Sequence, residues 1–238
     1  MRRALPVAKS DAITAIMSTS ADASSNPSAL TRLIEGYHRF RQTGWTPHRE
    51  RWTALGQGQE PEVMIIACSD SRVDPSQIFD AAPGEIFVVR NVAALVPPFE
   101  TTPGLHGVSA AVEFAVEVLK VKEIVVMGHG LCGGCKASLT QSMVGAAPGS
   151  GGFVADWISL LDDARADVVE HHGSVGTEAE RAMELAGVRV SLANLMTFPN
   201  ISSKVADGTL RLRGAFFAIT DGVLHVMDGA TGEFSPAE

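Results

Sequence analysis

The sequence is short of cysteine, of basic residues and of long apolar runs, and each shortage excludes something. Three cysteines among 238 residues, Cys68, Cys132 and Cys135, are too few and odd in number for a disulfide scaffold. They suit a reducing, cytoplasmic setting, where cysteines beside Asp, Arg and His suggest metal binding or catalysis before staples. No apolar run approaches the roughly 20 residues that span a bilayer, so no membrane partner is expected. Met1-Arg2-Arg3 is basic, but Pro6, Lys9 and Asp11 interrupt anything resembling a signal-peptide core. Lys and Arg number 19 against 27 Asp and Glu, and the net charge of −8 leaves no general basic surface for nucleic acid. Internal repeats are missing, and no linker divides the chain.

What is present is enough apolar sequence for a sizeable core: 45% of residues are hydrophobic and only 19% charged. Residues 1–27, rich in Ala, Ser and Thr, read as a flexible tail, and 28–238 as one domain. Asn26-Pro27 predicts a helix start. Leu30, Leu33, Ile34, Tyr37 and Phe40 then give 28–42 an apolar face that must pack on something. Residues 44–60 read as irregular. Runs at 63–67, 86–89 and 124–127 have the length of buried strands, with helices predicted over 107–120, 132–143, 153–170 and 177–196. Residues 210–219 and 223–227 form an antiparallel hairpin about Asp221-Gly222. Strands alternating with helices predict an α/β fold: a mostly parallel central sheet flanked by helices, with an N-terminal helical arm and a C-terminal hairpin.

Cys68, His129 and Cys132 fall just past strand ends, where open parallel sheets place their sites. Two thiolates and an imidazole suit zinc, and three protein ligands leave a fourth tetrahedral position open, the mark of a catalytic site. Two thiolates also cancel the dipositive charge, so a neighbour must help activate water. Arg72 can grip Asp70 bidentately, keeping it ionised and directed at the fourth position. Without Arg72, Asp70 could swing onto the zinc and block it.

Cys68-Ser69-Asp70-Ser71-Arg72, the stretch Pro83 to Asn91, and Gly128-His129-Gly130-Leu131-Cys132-Gly133-Gly134 together closely resemble the β-class carbonic anhydrases, over roughly residues 28–228. The resemblance implies reversible hydration of carbon dioxide to bicarbonate and a proton, with one zinc per subunit on Cys68, His129 and Cys132, and a catalytic Asp70–Arg72 dyad. It implies substrate contacts from Gln59, nine residues before Cys68 and typical of the plant-like subgroup, and from Phe87. Phe114 falls where the family usually has a tyrosine, so it brings the ring without the hydroxyl. The family builds this pocket across a dimer interface. A homodimer or larger assembly is expected, with 28–42 embracing the partner and the closing hairpin offering an edge. Gln59 and Phe87 also point to a site left open at neutral pH.

Other readings use the same residues. The same fold and metal serve carbon disulfide or carbonyl sulfide in some relatives. A cysteine phosphatase needs five residues between Cys and Arg, where Cys68 and Arg72 have three between them. Cys132-x-x-Cys135 fits a redox pair but leaves Cys68 and His129 without a purpose. A non-catalytic zinc module would want a fourth protein ligand, for which Cys135 is the candidate. Otherwise Cys135 reads as packing, and His171-His172 as a solvated helix end.

Overall fold

The computed structural model describes residues 27–237. The expected tail thus lies, apart from Pro27, outside the described residues. The chain forms two compact units, one running to Gly56 and one starting at Gln57.

In the first unit, α1 (Ala29–Phe40) starts two residues after Pro27, capped by Ser28, whose Oγ accepts the Thr31 N–H at 3.1 Å. It closes in a π-helical turn, Arg41–Trp45. The span 44–60, expected to be irregular, contains α2 (Arg49–Leu55). Gly44 and Pro47 punctuate only its approach, and the seven residues that follow are adequate helix formers. The Phe40 and Trp52 rings meet edge to face at 5.8 Å. Leu30, Leu33, Ile34, Tyr37 and Phe40 are all exposed.

The second unit is built on a six-stranded sheet. Along the chain it runs β1 (Val63–Cys68), α3 (Pro75–Ile78), β2 (Ile86–Asn91), α4 (Gly107–Glu113) and β3 (Glu123–His129). There follow α5 (Gly133–Thr140), α6 (Gly152–Ile158), α7 (Asp162–His172), α8 (Thr177–Leu195) and α9 (Pro199–Ala206). β4 (Arg211–Ala218), β5 (Val223–Met227) and β6 (Phe234–Pro236) complete it. Strand order is β2-β1-β3-β4-β5-β6. The first four strands are parallel and the last two antiparallel. The expected α/β class, with its parallel centre and closing hairpin, is the one observed.

Several local differences have physical causes. The helix expected over 153–170 breaks at a 3₁₀ turn, Ser159–Leu161, into α6 and α7. The helix expected over 107–120 relaxes into a π turn, Phe114–Leu119, ended by Lys120 at φ 57°. Asp74-Pro75 and Phe198-Pro199 start α3 and α9, with proline supplying the preset φ of a first helical turn. β6 pairs with β5, so the sheet edge opposite β2 is β6 and not the expected hairpin strand.

α8 is the long helix against which the sheet and α5 are packed, burying Met183, Val188, Leu192 and Leu195. Its approach is close: a Cβ placed on Gly128 of β3 would lie 2.7 Å from Val188 Cγ2. Glycine is what allows the helix to press on the strand end.

Candidate metal centre

β1 and β3 are parallel neighbours, with Ala67 opposite Met127, so their carboxyl ends finish side by side. Cys68 closes β1, His129 closes β3, and Cys132 is the N-cap of α5. One donor atom from each lies within 4.8 Å of the others, and all three residues are buried. His129 Nδ1 is 2.9 Å from the Gly130 carbonyl, which can only accept, so the neutral ring carries its hydrogen there. That leaves the Nε2 lone pair free, and this buried nitrogen has no hydrogen-bond partner. A buried imidazole nitrogen without a partner, facing two buried sulfurs, fits a soft divalent cation, and zinc above others.

Contact with Cys132 and burial push the Cys68 thiol up to about 12. Contact with Cys135, together with burial, pushes Cys132 up to about 12 against the favourable contact with Cys68. Such thiols keep their protons unless a cation takes their place. Cys135 itself is buried and stands outside the donor group.

The loop after β1 sets the second layer. Arg72 Nε donates to Asp70 Oδ1 at 2.9 Å and Arg72 Nη2 to Oδ2 at 2.7 Å, a bidentate pair. The Arg72 backbone N–H adds a third bond to Oδ1 at 3.0 Å. This clamp holds the Asp70 carboxyl well below the usual carboxylate range. Arg72 Nη2 also donates to the Leu131 carbonyl at 3.1 Å, joining the two ligand-bearing loops. Asp70 is not among the donor group.

Two residues without an assigned role in the sequence also hold these loops. Arg90 at the end of β2 donates to the Cys68 carbonyl at 2.9 Å, the Asp70 carbonyl at 2.6 Å and Asp74 Oδ2 at 2.9 Å. An arginine ending an otherwise apolar strand was the available signal. Glu184 of α8 accepts the Cys132 N–H at 3.0 Å; nothing in its helical surroundings advertised it.

The remaining candidates lie elsewhere. Phe87 and Phe114 pair at 5.9 Å; Phe87 packs on the apolar cluster around Met64 and Val112, apart from the one holding Cys68 and Cys132, and Phe114 is exposed. Phe87 sits opposite Met64, four residues short of the Cys68–Asn91 level. At about 3.3 Å per residue that is roughly 13 Å along the strand. Gln59 is exposed on the segment leading into β1.

An open parallel sheet carrying a buried Cys-His-Cys donor set at its carboxyl ends defines an α/β protein with a metal-type site. The carbonic anhydrase family model matches residues 63–224. A carbonic anhydrase of Synechocystis is 34% identical over 209 residues, covering 86% of this chain and 73% of that protein. The solved β-carbonic anhydrase CcaA superposes with a TM-score of 0.81 at 32% identity, covering 88% of this chain and 92% of that one. A chain from the crystal structures of two tetrameric β-carbonic anhydrases of Sordaria macrospora gives a TM-score of 0.69 at 28% identity, covering 86% of this chain and 95% of that one. The chain belongs to the carbonic anhydrase family, in its β class, and is an enzyme of that family.

Proposed function

We propose that this protein reversibly hydrates carbon dioxide to bicarbonate and a proton, with one zinc per subunit held by Cys68, His129 and Cys132. When bound there, zinc supplies a Lewis acid that makes water nucleophilic near neutral pH. The chain's own groups do the rest. His129 is fixed in its tautomer by the Gly130 carbonyl. Asp70, ionised and clamped, would accept a hydrogen bond from the nucleophilic water and so aim that water's lone pair at the substrate carbon; held so far below the usual carboxylate range, it orients the water and does not take its proton. Both Asp70 oxygens are engaged by Arg72, and Asp70 is not part of the donor group, which supports an open site of the plant-like kind. Cys135 lies outside the donor group, which favours three protein ligands over a four-ligand structural zinc.

The single observation that carries this reading is the buried donor triad beside an aspartate already engaged by arginine. The test is stopped-flow hydration of carbon dioxide by zinc-loaded protein, scanned from about pH 6.5 to 9 around the zinc-water range. Turnover near pH 7 is the expected result. Activity only above about pH 8 would overturn the open site. Turnover of carbon disulfide without carbon dioxide would replace the substrate.

Gln59, Phe87 and Phe114 of one copy wall the site of a second copy in this reading. The distance of Phe87 from its own Cys68 supports it, as does the tetrameric state of the Sordaria relatives. The exposed apolar face of α1 is then the arm that embraces the partner, within a domain running from residue 28 to 238. The three unbridged cysteines suit a cytoplasmic enzyme. Among the described residues no helix is long and apolar enough to cross a membrane.

A further inference from the structure

Glu184 is 6% exposed, in the middle of α8 and among Met183, Gly187 and Val188. A carboxylate is a costly choice there, because burial disfavours its charge and no ion pair among the described residues joins it. Arg181, one turn earlier, instead lays its guanidinium on the Phe216 ring at 3.4 Å. What Glu184 Oε1 does take is the Cys132 N–H at 3.0 Å, from a residue 52 positions away. Burial raises the Glu184 carboxyl above its ordinary value, against the Cys132 amide, the charges of His129 and Arg181 and the Leu131 amide, which favour the ionised form. Leu131 holds a left-handed φ of 59°, a conformation that needs outside support in a non-glycine residue. One helical turn later, Val188 presses on Gly128 from the same side. The turn Glu184–Val188 is therefore the floor of the loop that carries both His129 and Cys132.

We infer that Glu184 is a positioning residue for the metal centre, its carboxylate pinning the Cys132 amide so that the Cys132 sulfur stays in register with Cys68 and His129. This rests on the zinc reading above. A leucine would fill the same space but would leave the Cys132 N–H buried and unpaired, freeing the loop. Glutamine keeps an acceptor oxygen and drops the charge.

The experiment measures zinc affinity by chelator competition, and the thiolate-to-metal absorption of the cobalt-substituted protein, for wild type, Glu184→Gln and Glu184→Leu. Circular dichroism and thermal unfolding of each variant report folding separately. Wild type should bind one zinc per chain. Glu184→Leu should bind it roughly 10- to 100-fold more weakly, the range for lost outer-shell support, with an altered cobalt spectrum. Glu184→Gln should stay near wild type in both. Wild-type affinity and spectrum in Glu184→Leu overturn the inference. So does a Glu184→Gln variant that folds yet is as impaired as Glu184→Leu, because charge and not the hydrogen bond would then matter. A wild-type chain that takes up no zinc overturns the metal reading itself, and the inference with it.

Discussion

The Asp70 carboxylate is held by three bonds from one arginine, and its chemistry follows from that grip. Its native pKa is depressed, so its share of stability is fully present above the ordinary aspartate value near 4 and fades as pH falls toward the native value. Between about pH 6.5 and 9 it stays ionised, and any limb of the activity profile there belongs to another group. Arg72→Ala should keep its zinc by atomic absorption yet lose roughly 10- to 100-fold in turnover, the scale of lost outer-shell orientation. Cys68→Ser and His129→Ala should lose zinc and activity together, whereas Cys135→Ser should keep one zinc per chain. The residues of this site that could be read in the sequence are those whose partners are local. Cys68, Asp70 and Arg72 fall within five positions, and His129 and Cys132 within four. Arg90 and Glu184 act across 22 and 52 positions, and nothing local records such bonds.

For the secondary-structure elements, legibility followed length and purity of pattern. The apolar runs became β1 and β3 because parallel strands buried on both faces leave an unbroken hydrophobic signature, and the half-buried edge strand β2 kept enough of it in Ile86-Phe87-Val88-Val89 to be read the same way. β6 and α3 are too short to show a period, and α2 hid behind Gly44 and Pro47. The register of α8 against β3 yields a packing prediction. Gly128→Ala brings a methyl to 2.7 Å from Val188 Cγ2. It should cost about 1–3 kcal/mol in chemical denaturation, as overpacking does. Adding Val188→Ala should recover part of that loss, a coupling that independent sites would not show.

For the whole molecule, the question is how many chains complete one site. Phe87→Ala should keep zinc but lower kcat/KM, and Leu33→Asp on the exposed face of α1 should shift the assembly toward monomers in sedimentation. Mixing Phe87→Ala with Cys68→Ser tests sharing directly. Each homodimer is defective, but a mixed dimer has one site with an intact metal triad and an intact phenylalanine. Random exchange of dimers would then restore about a quarter of wild-type activity. No recovery would mean that each chain walls its own site.

The tie from Glu184 back to Cys132 also sets an order of events during synthesis. Cys68 leaves the ribosome early, followed by His129 and Cys132, yet the helix that floors their loop emerges much later. β4, the sheet neighbour whose Phe217 carbonyl accepts the Gly130 N–H at 3.0 Å, emerges later still. A nascent chain that ends before α8 carries all three ligands and lacks their foundation. In the zinc reading proposed above, tight metal capture therefore belongs to the finished chain, and a truncated product would have little means of withholding the ion from its neighbours.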